Sequence, residues 1–201
     1  MSEFAPSRFH GASGRNVVVC SDNKIKIIND GGQEIAEYDL KEDKILASTA
    51  FGDFVVVSFS GDVSAKGSEL GVLDIGAINA ETDTISERFD HDGNNNDSIF
   101  KWDRRLEGFI EAIGSMEDSF IFSLKGLGIY SMGISRNGKE IEINENWRLG
   151  YPEWNGKMAA GFVDGVATIT ASDRHVQVIS EGGEWLLSLI HISEPTRQVP
   201  I

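Results

Sequence analysis

Asp164 to Trp185 reads D-G-V-A-T-I-T-A-S-D-R-H-V-Q-V-I-S-E-G-G-E-W. A tight turn leads into a strand, then a second turn, a second strand, and a Gly-rich turn that ends on an aromatic residue. The same phrase occurs three more times upstream in looser form. Self-similarity of this kind marks a chain built from β-repeats.

The turn before the most apolar strand sets the register. It falls at Arg15-Asn16, Gly52-Asp53, Glu117-Asp118 and Asp164-Gly165. A β-branched or aromatic run follows each: Val17 to Val19, Phe54 to Val57, Phe120 to Phe122 and Val166 to Ile169. Apolar runs of this length between turn residues fit strands buried on both faces. A small polar residue comes next (Ser21, Ser58, Ser123, Ser172), then another strand at Lys24 to Ile28, Gly71 to Ile75, Gly128 to Met132 and His175 to Ile179. In the first and last units that strand alternates, as in Ile25-Lys26-Ile27 and Val176-Gln177-Val178, so one face is wetter there. Gly turns precede an outer strand, clearest at Glu34 to Tyr38 and Lys139 to Ile143.

The segments ahead of each register mark are rich in small residues: Gly11 to Gly14, Ala47 to Ala50, Ala112 to Ser115 and Met158 to Gly161. Strands that converge on an axis must be slim. Four strands per unit, at spacings near ~40–50 residues, predict an all-β chain: a β-propeller of about four blade-like repeats in an incomplete ring. The units are expected at 10–43, 44–89, 109–150 and 157–186, after a lead-in at 1–9, with an insertion at 90–108. A β-sandwich or β-solenoid is the alternative.

The ends G-G-Q-E-I-A-E-Y (Gly31 to Tyr38) and G-G-E-W (Gly182 to Trp185) resemble repeats of the PQQ-like and WD40-like propellers. The likeness covers most of residues 9–185, and the Trp102-Asp103 pair lies outside the repeat positions. It implies a rigid platform for a protein partner. The enzyme counterpart, a quinoprotein dehydrogenase with its cofactor over the central channel, implies a complete ring and usually an export signal.

The 201 residues are 40% apolar and 25% charged, with 22 Gly, which suits one turn-rich domain. Thirty-two acids against 18 bases give a net charge of -14. Such a surface repels phosphate backbones, so no nucleic-acid partner is expected, and the acids discourage strand edges from pairing. Cys20 is the one cysteine and reads as a buried filler. No secretory leader and no membrane-length apolar run is present, so a cytoplasmic location is expected.

Leu187 to Arg197, L-S-L-I-H-I-S-E-P-T-R, reads back codon for codon as a common transposase sequencing adapter. Residues 187–201 are therefore expected to be a non-native tail, and the chain a fragment less stable than its parent.

Two stretches suggest binding. Oxygen side chains at Asp90, Asp92, Asn94 and Asn96 recur at every second residue, as early in calcium loops. Gly93 and Lys101 depart from the rest of that pattern, so a solvated loop is the expectation and calcium the alternative. Trp102, Arg104 and Arg105 lie in the densest basic cluster of an acidic chain, a typical pairing for a protein partner. The competing reading packs Trp102 onto its own blade. No spacing rule assembles His10, His91 and His175 into a catalytic set, and Gly11-x-x-Gly14 lacks a phosphate-loop Lys. No catalytic or cofactor-binding residue is expected.

Overall fold

The computed structural model describes residues 8–11, 17–40, 43–60, 67–76, 89–90, 100–116, 118–138, 140–150, 158–163, 166–171 and 176–189. Four antiparallel sheets, numbered in chain order, account for nearly all of them. The first blade holds β1 (Arg8–Gly11), β2 (Val17–Ser21), β3 (Lys24–Ile28) and β4 (Glu34–Asp39), and the short β8 (Phe89–Asp90) adds to β4. The second holds β5 (Lys44–Phe51), β6 (Phe54–Ser60), β7 (Ser68–Asp74) and β9 (Trp102–Leu106). The third holds β10 (Ile110–Ser115), β11 (Ser119–Leu124), β12 (Gly128–Asn137) and β13 (Glu140–Gly150). The fourth holds β14 (Met158–Val163), β15 (Val166–Ala171), β16 (Val176–Ser180) and β17 (Trp185–Leu189).

Most strands pair with their sequence neighbours through short turns; the exceptions are β9, which joins β7 after a long connection, and β8, which joins β4. Gly52 takes φ +51° in the turn between β5 and β6, a left-handed conformation that a Cβ disfavours. The innermost strands touch in order: β1 meets β5, β5 meets β10, and β10 meets β14. Small residues in these strands permit that approach: Ala47 and Ala112 are buried, and Met158 to Gly161 lie in β14. In the first blade the inner strand is Arg8–Gly11, so Ala12 to Gly14, expected within it, lie outside the described residues.

Strand alternation splits each blade into two faces, and the apolar faces meet between blades. Val18, Cys20, Ile25, Ile27, Ala36 and Tyr38 of the first blade pack on Val55, Val57, Phe59 and Leu73 of the second. The other face of the second blade, with Val56, Leu70 and Val72, packs on Phe120, Phe122 and Leu124 of the third. Ile121, Ile129, Trp147 and Leu149 of the third meet Ile179 of the fourth. Burying each side chain of this size stabilises the fold by roughly 1.5–3 kcal/mol. Small residues recur at one level on the face turned to the following blade: Cys20, Ser58 and Ser123, opposite Ile25, Leu70 and Ile129. Cys20, not Ser21, holds that position in the first blade.

Three assignments differ from the sequence reading. The second blade takes its outer strand, Trp102–Leu106, from within the segment expected to be an insertion. Phe89–Asp90, expected at the end of the second unit and the start of that insertion, pairs parallel with β4 of the first blade. In the fourth blade β17 runs to Leu189, three residues past the expected boundary at 186. The Leu187-Ser188-Leu189 alternation suits this, because Leu187 and Leu189 lie opposite Val178 and Val176.

Candidate functional site

The blades are fastened to one another at three places, and these fix the outer surface where the candidate residues lie. Between the first and second blades, Phe100 stacks on Phe59 with ring centroids 5.1 Å apart and planes 9° from parallel. Gly71 makes room for it: a Cβ there would lie 2.5 Å from the Phe100 ring. Ile75 is buried in the same cluster, so both ends of the long β7–β9 connection are anchored where it leaves and rejoins the second blade.

Between the second and third blades, Arg136 of β12 grips Asp74 of β7. Its Nη2 and Nε donate to Asp74 Oδ1 and Oδ2 at 2.5 and 3.1 Å. Asp74 is 6% exposed. The guanidinium also lies 5.4 Å from the centre of the Phe54 ring and 3.9 Å from Asp53. Forked donors match a carboxylate's two oxygens, so the pair fixes orientation as well as distance. Between the third and fourth blades, Trp147 Nε1 donates to the Glu181 carbonyl at 2.7 Å. Gly183, at φ +85°, lies beneath that ring, and a Cβ there would fall 2.6 Å from it.

The face of the first blade turned away from the second is charged. Lys24 and Lys26 alternate with the buried Ile25 and Ile27 and point to that side. Lys24 Nζ lies 2.8 Å from Glu37; Lys26 Nζ lies 2.7 Å from Glu37 and 2.8 Å from Glu34. Hydrogen bonds from Lys24 and then Lys26 hold the Glu37 carboxyl down at about 2. The Glu34 and Glu37 bonds in turn raise Lys26. The wetter first unit read from Ile25-Lys26-Ile27 is this ladder. The second and third blades carry apolar clusters on both faces.

The sequence candidates fall on the outer edges of neighbouring blades. Trp102, Arg104 and Arg105 belong to β9, the last strand of the second blade. Trp102 and Leu106 are half-buried and pack on the cluster between the second and third blades. Arg104 shares their face but is exposed; Arg105, on the other face opposite Glu69, is exposed too. Among the described residues neither arginine has an ion pair. Asp90 ends β8, opposite Asp39 on the rim of the first blade. Asp92, Asn94 and Asn96 lie outside the described residues, so the calcium alternative is not brought together here. Among the described residues no three of His, Cys, Asp and Glu gather closely enough to hold a metal ion, and no helix is long and apolar enough to cross a membrane.

Among the described residues β9 is the outermost strand of its blade, and it carries two exposed guanidinium groups and an indole packed at the blade boundary. Arg136–Asp74 and Trp147–Glu181 escaped the sequence reading because nothing in either local stretch signals a partner 62 or 34 residues away.

Known structures place the fold. The chain is similar to Drosophila Semaphorin 1a, extracellular domains 1-2, with a TM-score of 0.55 and 8% identity over 88% of this chain and 56% of that one. It is similar to BBS1N, solved in complex with ARL6DN, with a TM-score of 0.53 and 11% identity over 93% of this chain and 54% of that one. It is similar also to the computationally designed Ika4 protein, with a TM-score of 0.52 and 17% identity over 89% of this chain and 94% of that one. The fold is therefore that of a β-propeller. The chain spans about half the length of the semaphorin and BBS1N chains. No protein-family model matches the sequence, and no curated protein matches it.

Proposed function

We propose that this protein is a non-catalytic β-propeller scaffold that holds a protein partner on its rim, at the outer strand of the second blade. One observation carries the reading. Arg104 and Arg105 are exposed and unpaired among the described residues of a chain with net charge -14, and half-buried Trp102 and Leu106 bracket them. When such a surface is covered, burial of the indole is favourable, and carboxylates of a partner can offset the cost of desolvating the guanidinium groups. The rigid sheets below provide a preorganised platform, as expected where function is grafted onto a fold.

The test is capture of partners by the immobilised chain. Trp102→Ala and Arg104→Glu/Arg105→Glu are expected to lose proteins that the parent retains. Arg148→Glu, an exposed charge reversal on β13, is expected to keep them. A urea midpoint for each variant confirms that it is folded. If both β9 variants hold the same proteins as the parent, the reading fails.

A further inference from the structure

We propose that the outer edge of β9, unpaired among the described residues, accepts an acidic extended peptide as a fifth strand of the second blade. This rests on the partner-binding reading above and adds how the partner docks.

The first blade shows what an outer edge in this molecule accepts. There β8 lies alongside β4, with Phe89 opposite Tyr38 and Asp90 opposite Asp39, making the one five-stranded sheet among the described residues. β9 occupies the corresponding outer position in the second blade, and among the described residues no further strand pairs with it. Its five residues span about 17 Å at ~3.3 Å each, room for a peptide of similar length. An open edge is a ready template for a strand from another chain.

Charge selects the occupant. Consecutive residues of a strand face opposite sides, so Arg104 and Arg105 present one guanidinium on each face of the sheet. A paired strand answers both with two consecutive carboxylates. The same register sets apolar residues opposite Trp102 and Leu106 and a small polar one opposite Asp103. The occupant is thus a segment of the form apolar–polar–acid–acid–apolar, in either direction. The other long outer strand, β13, carries exposed Glu140, Glu142 and Glu145 and disfavours the same ligand. Charged pairs across neighbouring strands add to the backbone bonds, and guanidinium–carboxylate bonds are the stronger kind.

The probe is the labelled peptide Ac-Val-Thr-Glu-Glu-Val-NH2, with its reversed sequence, titrated with the whole chain and followed by fluorescence anisotropy. Binding is expected for at least one direction. Replacing Glu-Glu by Gln-Gln, or using Arg104→Glu/Arg105→Glu, is expected to weaken it about tenfold or more. Raising salt from about 50 to about 500 mM is expected to weaken it as well. A backbone N-methylated peptide cannot pair as a strand and is expected not to bind; this control leaves the protein untouched. Equal binding of the N-methylated peptide, tighter binding of a Lys-Lys analogue, or no binding of either direction overturns the proposal. If the peptides fail while Trp102→Ala still loses captured partners, strand addition alone is refuted. If that variant also loses nothing, the rim reading falls with it.

Discussion

Arg136→Ala tests how the second and third blades are joined. The side chain reaches from β12 to Asp74 with two hydrogen bonds of 2.5 and 3.1 Å. Removing it leaves a carboxylate that is 6% exposed without its main counter-charge. Breaking a fully buried ion pair from one side costs about 3–5 kcal/mol. The Arg136 side chain is 40% exposed. Water and relaxation thus relieve part of the penalty, and about 2 kcal/mol is the expected loss. Urea unfolding of the parent, Arg136→Ala, Asp74→Ala and the double variant gives the coupling directly. The double variant should be more stable than the sum of the single losses implies, because no orphaned charge remains in it. Arg136→Lys should recover less than half of the loss, since an ammonium cannot present the forked geometry. A coupling below about 0.5 kcal/mol would refute the claim that this pair joins the blades.

Acid should unpick the ladder on the first blade. Glu37 titrates near 4.5 when unpaired and near 2 in the fold, so its contribution is present above about 4.5 and is lost as pH falls towards about 2. With the lysines more than a third exposed, screening leaves about 1 kcal/mol of the larger figure that the shift alone implies. Glu37→Gln should lack that part of the pH dependence between pH 5 and 2 in urea-midpoint measurements, and an unchanged profile would sink the assignment. Gly183→Ala places a Cβ under Trp147 at a left-handed φ, and a loss of about 1–3 kcal/mol is expected with altered Trp fluorescence. Phe100→Ala empties the slot over Gly71 and should cost about 3 kcal/mol in thermal or urea melts, with hydrogen exchange rising first in β4 and β7.

The parts of the fold legible in the sequence were those set by local chemistry. Phe54 to Val57 and Phe120 to Phe122 read as doubly buried strands because both faces are apolar, and all of these residues are buried except Phe54, which is half-buried. Ile25-Lys26-Ile27 announced one wet face, and it carries the ion-pair ladder. The outer strand of the second blade did not announce itself. Three of the five residues in Trp102-Asp103-Arg104-Arg105-Leu106 are charged, a composition depleted in strands, and the segment follows a long insertion. Its pairing with β7 is decided by the sheet, where Val72 and Ser68 wait opposite Trp102 and Leu106. The candidate site was thus legible as residue types but not as a strand edge, and that edge is what gives Arg104 and Arg105 their geometry.

The short β8 imposes an order of events on synthesis. Tyr38 and Asp39 gain their edge partners only after Phe89 and Asp90 have left the ribosome, by which time β5, β6 and β7 are already available. An array of blades that contact only adjacent blades could mature one at a time. Here the first blade stays unfinished until most of the second exists, so the two are expected to mature together, and a nascent chain arrested before Phe89 would leave the rim of the first blade open to chaperones.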